Sequence, residues 1–154
     1  MIGDVNLFIY EDEDDEDEDG GEDGRNRGVE LIGEVEIMIA RKEVQGKGYG
    51  KAALAAFLEY VWMKQGEICR QYVRYSSPDD KTERTGGSSR EFKYLRVKIN
   101  AGNERSIKLF EGFGFKKVRE EPNYFGELEL RKQREDIVAG DQSITLLEYR
   151  KQEA

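Results

Sequence analysis

Residues 41–62, RKEVQGKGYGKAALAAFLEYVW, place Gly46, Gly48 and Gly50 at alternate positions directly before an amphipathic run. Glycine in a helix costs about 1 kcal/mol relative to alanine, so three of them at a helix start need a local purpose. Close approach of an anion to the backbone is such a purpose. A helix N-terminus presents unpaired N–H groups and the positive end of the dipole. Downstream, Ala53, Phe57, Tyr60 and Val61 recur at helical spacing, with Leu54 and Leu58 widening the stripe. That spacing predicts a helix over 50–65 with this face buried.

Three phosphate-loop patterns compete for the glycines. The pattern G-x-x-x-x-G-K-[ST] fails because Gln45 stands where its first glycine belongs and Ala52 follows Lys51. The pattern G-x-G-x-x-G fails because Gly50 follows Gly48 too closely. The pattern Q/R-x-x-G-x-G/A is met by Gln45-Gly46-Lys47-Gly48-Tyr49-Gly50, with Lys47 and Lys51 adding positive charge. A plain strand-to-helix turn would account for the same six residues, and the pattern alone leaves both readings open.

Working outward, 3–10 (GDVNLFIY) and 28–40 (GVELIGEVEIMIA) are rich in β-branched and aromatic residues and predict two strands. YLRVKIN at 94–100 alternates apolar and polar residues and predicts a third. NERSIKLFEGFGF at 103–115 opens on an N-cap asparagine and closes on glycine, a short helix. KKVRE and YFGELELRK predict a hairpin about Glu121-Pro122-Asn123, and SITLLEYR offers one more strand in the tail. The order strand–strand–helix–strand–helix–strand–strand is that of a layered α/β domain.

The 154 residues suit one domain, read as 1–135 with 136–154 as a C-terminal strand or tail. The formal net charge of -8 is misleading, because 11–23 (EDEDDEDEDGGED) holds eleven of the 33 acids and no base. The remaining 22 acids face 25 Lys and Arg, leaving about +3. Residues 11–28 read as an acidic disordered loop, either solvated or docking a basic partner. Residues 70–93, with Pro78, Gly86, Gly87 and several serines, read as a flexible insertion.

One cysteine, Cys69, precludes an internal disulfide and fits a cytoplasmic or nuclear setting; it receives no functional role. No apolar run approaches membrane-spanning length, and the N-terminus has no signal-peptide pattern. The chain contains no histidine. That excludes Ser-His-Asp and Cys-His catalysis, makes a metal site unexpected, and leaves carboxylates, Tyr, Lys, Cys69 or water for acid–base work.

The glycine loop, the strand before it and NERSIKLFEGFGFKKV at 103–118 together resemble the GNAT acetyltransferases, in which an Asn-x-x-[SA]-I-x-[LM]-[YF]-x-x-x-[GH]-F segment follows the fifth strand. MIGDVNLF, GEVEIMIA, GKGYG and VKINAGNERSIKLFEGFGF narrow this to similarity with the N-acetyltransferase 9-like, or alpha/beta-tubulin N-acetyltransferase, family over 1–10 and 31–131. The family begins with a further strand and two helices that wall the acceptor groove. Against that pattern the chain reads as N-terminally incomplete.

The resemblance implies a mixed, mostly antiparallel sheet with a central splay holding acetyl-CoA as co-substrate. It implies cofactor contacts from Met38, Ile39, Gln45, Gly46, Lys47, Gly48, Gly50, Lys51 and Asn103, although the sequence equally reads Asn103 as a helix cap alone. It implies a catalytic carboxylate at Glu34 or Glu36, which share a strand face; alternation equally predicts two solvent-facing residues. Apolar neighbours Val35, Ile37 and Ile39 would favour a raised pKa there. Many GNATs carry a proton-donating Tyr where this chain has Phe110. The implied function is transfer of acetyl to a protein amine, with a tubulin N-terminus as the family's acceptor. The alternatives are a non-catalytic acetyl-CoA-binding or microtubule-associated module and an acetyltransferase of another protein or small amine. The acidic block fits a basic protein better than tubulin, whose surface is itself acidic. Neither nucleic acid nor membrane is an expected partner.

Overall fold

The computed structural model describes residues 1–12, 30–76 and 91–133. The strand β1 (Gly3–Glu11) runs antiparallel to β2 (Leu31–Ile39), from Gly3 opposite Ile39 to Glu11 opposite Leu31. A 3-10 turn (Lys42–Val44) and a loop lead into α1 (Tyr49–Ser76), and α1 is followed by β3 (Phe92–Asn100). The rest is α2 (Glu104–Gly112), a two-residue β4 (Lys116–Lys117) and β5 (Glu127–Gln133). Among the described residues the sheet order is β1-β2-β3-β5-β4, and only β2 and β3 pair in parallel, joined by the α1 crossover.

Alternation along the strands separates two faces. Leu31, Val35, Leu95, Val97, Ile99, Leu128 and Leu130 join Leu54, Leu58 and Val61 of α1 and Ile107 and Phe110 of α2 in one core. Each such side chain contributes about 1.5–3 kcal/mol by leaving water. The other face carries Glu34, Glu36 and Met38 of β2 beside Arg96 and Lys98 of β3.

α1 differs from the helix expected at 50–65. Its buried stripe is Leu54, Leu58, Val61 and Cys69, while Tyr60 is 55% exposed. At about 100° per residue, Tyr60 points well away from the Leu54–Leu58 direction and therefore lies off the core face expected to include it. The helix also continues to Ser76, because Cys69 together with the partly buried Tyr72 and Val73 prolongs the stripe. Residues 70–76, expected in an insertion, are therefore helical, and β3 starts at Phe92 rather than 94. Gln65 Oε1 accepts from the Phe92 N–H at 3.2 Å and ties α1 to the start of that strand.

The acidic block also begins differently from expectation. Glu11 closes β1, and Asp12 pairs with Lys93 Nζ at 2.9 Å, which also reaches Glu30 at 2.8 Å. The remainder of that block, residues 77–90 of the expected insertion and the expected strand at 143–150 lie outside the described residues.

Candidate functional site

The β2–β3 ladder stops early. Its rungs join Leu31 to Phe92, Gly33 to Leu95 and Glu34 to Arg96, with an irregularity between the first two, and nothing pairs beyond Glu34. From Val35 to Ile39 the β3-facing edge of β2 is thus unsatisfied by β3, an arrangement suited to an extended ligand. Beside this unpaired end of β2 lies a cavity of about 570 Å³, walled by Ile37–Ile39, the loop before α1 and the first turns of α2.

The loop geometry follows from its glycines. Gly46 and Gly48 adopt φ of 75° and 87°, left-handed conformations that cost side-chain-bearing residues about 1–2 kcal/mol. A β-carbon at Gly48 would meet nothing within 4 Å, so the space above it is free for an approaching ligand. The N–H groups of residues 46–51 have no main-chain partner among the described residues; the first bond of the helix here runs from Ala52 N to Gly48 O at 3.0 Å. Consecutive free donors at the start of a 28-residue helix are the groups that an anion would need. The donors, the glycine cradle and the cavity fit the pyrophosphate and pantetheine of acetyl-CoA.

The cavity gathers Met38, Ile39, Gln45, Gly46, Gly48, Gly50, Lys51 and Asn103, and leaves Glu34, Glu36 and Lys47 outside its lining. Gln45 acts partly through its side chain, whose Nε2 donates to the Ile39 carbonyl at 2.7 Å and fastens the loop to the end of β2. Asn103 caps α2, its Oδ1 accepting from Ser106 N at 3.2 Å, while also facing the cavity. Sequence reasoning missed Arg105, Ser106 and Lys108, which complete the α2 wall. Their signal was the cation spacing i, i+3 just inside the cap.

The two carboxylates differ in surroundings. Glu34 is nearly buried, and its Oε2 accepts from Arg96 Nε at 2.6 Å and lies 3.6 Å from Lys98 Nζ. Glu36 is exposed opposite Asn6 and has no ion pair among the described residues. At ~3.3 Å per residue, Glu36 lies about 7 Å and Glu34 about 13 Å along the strand from Met38 at the cavity. Phe110, at the position of the donor Tyr, is buried edge-on against Phe115 with centroids 5.1 Å apart. Cys69 is buried in the core, and burial, followed by the charge of Glu91, pushes its thiol up from 9.0 to about 11.

Among the described residues, no helix is long and apolar enough to cross a membrane, and no group of three or more metal-binding side chains converges.

Residues 1–116 match the family model described as an acetyltransferase (GNAT) domain. An N-acetyltransferase 9-like protein of Schizosaccharomyces pombe is 32% identical over 139 residues, covering 84% of this chain and 55% of that protein. The human alpha/beta-tubulin-N-acetyltransferase 9 is 29% identical over 131 residues, covering 85% of this chain and 44% of that protein. The chain therefore spans about half the length of the curated relatives it matches. Among solved structures, Arabidopsis thaliana NAA60 in complex with acetyl-CoA shares the fold at TM-score 0.51 and 15% identity, covering 88% of this chain and 66% of that one.

Proposed function

This chain belongs to the GNAT acetyltransferase family, and on that premise we propose that it is an acetyl-CoA-dependent N-acetyltransferase acting on a protein amine. The observation that carries the reading is the run of free N–H groups at 46–51 beside a cavity lined by the end of β2 that β3 leaves unpaired. The domain is taken as residues 1–135, with 136–154 as its tail.

Bound acetyl-CoA would supply an activated acetyl thioester. The loop N–H groups and Lys51 hold its pyrophosphate, and the unpaired edge at Met38 and Ile39 together with Asn103 holds the pantetheine arm. Lys47, in the loop but outside the cavity lining, adds to the local positive field. An amine attacks only when neutral, so a proton acceptor is needed. Glu36 takes that role, directly or through one water, because its carboxylate is free of ion pairs among the described residues. Glu34, held by Arg96 and Lys98, positions the strand from which Glu36 and Met38 project. Phe110 has no proton to give, so the departing sulfur is protonated from solvent.

Tubulin is the acceptor to test first, since two relatives carry that word in their names. A cytoplasmic setting follows from that substrate. The test incubates the 154-residue chain with acetyl-CoA and separate acceptors: peptides with tubulin N-termini, a basic peptide and a small amine. Thiol release and the acceptor's mass are read together. Acetylation of a tubulin peptide supports the whole reading, and acetylation of another acceptor alone supports the enzyme while overturning tubulin. Binding of acetyl-CoA with no acceptor modified favours a non-catalytic acetyl-CoA-binding module.

A further inference from the structure

The two outer strands of the sheet are guarded differently. On one side β4 is two residues long and consists of Lys116 and Lys117, a short charged edge of the kind that resists further pairing. On the other side β1 offers nine residues, Gly3–Glu11, in unbroken register with β2 and with neither proline nor lysine. Among the described residues no strand pairs with its outer side. The direction of its main-chain groups follows from two bonds that continue the ladder at its ends. Ala40 N donates to Ile2 O at 2.9 Å and Asp12 N donates to Glu30 O at 2.8 Å, so the even-numbered residues turn their N–H and C=O groups toward β2. Gly3, Val5, Leu7, Ile9 and Glu11 therefore turn theirs outward. Three of these, Val5, Leu7 and Ile9, also pack against the core and remain only partly buried.

The same odd-numbered residues thus carry both the outward hydrogen-bonding groups and a half-covered apolar row. Pairing β1 with a second β1 satisfies both at once, because the strand's midpoint, Leu7, is itself an outward-facing residue. In an antiparallel pair centred there, odd residues meet odd residues. Gly3 lies opposite Glu11 of the second copy, Val5 opposite Ile9, and Leu7 opposite Leu7. Every outward N–H and C=O of the strand then finds a partner, and the apolar row of one core continues into the other. On the opposite face Asp4 lies across from Tyr10 and Asn6 across from Phe8, so neither acid of the strand meets a like charge. Phe8 and Tyr10, 44% and 42% exposed in the single chain, lose solvent contact in this arrangement. We propose that β1 is a homodimerisation edge, joining two copies of the chain about a twofold axis through Leu7 into one continuous sheet.

The test is sedimentation equilibrium of the full 154-residue chain from micromolar to millimolar concentration, in about 0.15 M salt so that the net charge of -8 is screened. The expected result is a rise in mass toward twice that of the monomer. Asn6→Lys/Phe8→Lys and Asn6→Glu/Phe8→Glu each set like charges opposite one another across the axis, and each should associate about tenfold or more weakly than the wild type. An equimolar mixture of the two variants should dimerise again, because every facing pair is then of opposite sign. Circular dichroism verifies that each protein is folded. Amide hydrogen exchange of the wild type needs no variant. The Val5, Leu7 and Ile9 N–H groups should slow as concentration rises, while those of Asn6 and Phe8, turned toward β2, stay slow throughout. A wild type that stays monomeric overturns the proposal, as does a dimer that survives in both variants or a mixture that fails to restore one. Exchange at Val5, Leu7 and Ile9 that is already slow in the monomer would show another segment seated on this edge and overturn it equally.

Discussion

Arg96 Nε donates to Glu34 Oε2 at 2.6 Å across the last paired rung of β2 and β3, at the point where the two strands separate. Both side chains are largely shielded, at 17% and 12% exposure, unlike the surface pair Lys64–Glu67 at 49% and 54%. Removing one partner of a shielded pair strands the other charge, whereas a solvated pair contributes little. Arg96→Met leaves Glu34 only Lys98, 3.6 Å away, and is expected to lower unfolding stability by about 1.5–3 kcal/mol, against less than about 1 kcal/mol for Lys64→Met. Urea unfolding of both variants checks this. Similar small losses would mean that water reaches the Glu34 pair.

The same ion pair separates the roles of the two carboxylates. Glu36→Gln is expected to reduce kcat by about a hundredfold or more while leaving acetyl-CoA affinity unchanged. Glu34→Gln should act mainly on stability, with the pH dependence of turnover retained. Steady-state kinetics across pH, with binding measured separately, distinguishes them. A larger kcat loss in Glu34→Gln, with a lost pH limb, would reverse the assignment.

Cys69 supplies a pH signature. Burial, and then the Glu91 charge, raises its thiol from 9.0 to about 11 in the folded chain. The unfolded chain thus loses this proton first as pH rises. The stability contribution of the protonated thiol is complete below about pH 9 and is lost progressively up to about pH 11. Cys69→Ala should lose the part of the alkaline stability decline that falls in this window, measured by denaturant unfolding at several pH values. In the native wild type, a thiol reagent near neutral pH should react slowly, and rapidly once the chain is unfolded.

Local signals made much of this legible beforehand. β-Branched and aromatic content marked β1, alternation marked β3, the glycine spacing marked the loop, and Asn103 marked the start of α2, because each is a short-range relationship. Long-range ones were not readable. The Glu34–Arg96 pair spans 62 positions, and the bond from Gln65 to Phe92 spans 27. The end of α1 was misjudged because Arg70, Gln71 and Arg74 dilute the pattern, although Cys69, Tyr72 and Val73 still lie inward. Arg105 is far from Gly46 in sequence, and only the fold brings its guanidinium beside that glycine.

Phe110 tests whether a missing donor can be restored. Its ring is 1% exposed and packed edge-on against Phe115, outside the cavity lining. Phe110→Tyr would bury a hydroxyl in a filled site and is expected to cost about 1–3 kcal/mol without raising kcat. Denaturant unfolding and turnover of this variant check both halves; a rise in kcat would mean the hydroxyl reaches the reacting sulfur.

The loop before α1 is proposed as the anion cradle for acetyl-CoA. Isothermal titration of the 154-residue chain with acetyl-CoA, beside Gly48→Glu as control, tests it most directly. A glutamate at Gly48 would meet both the strained φ of 87° and charge repulsion with the pyrophosphate. Saturable binding by the wild type that disappears in a folded Gly48→Glu variant is the predicted result. Equal binding by both proteins, or none by a folded wild type, would contradict the account.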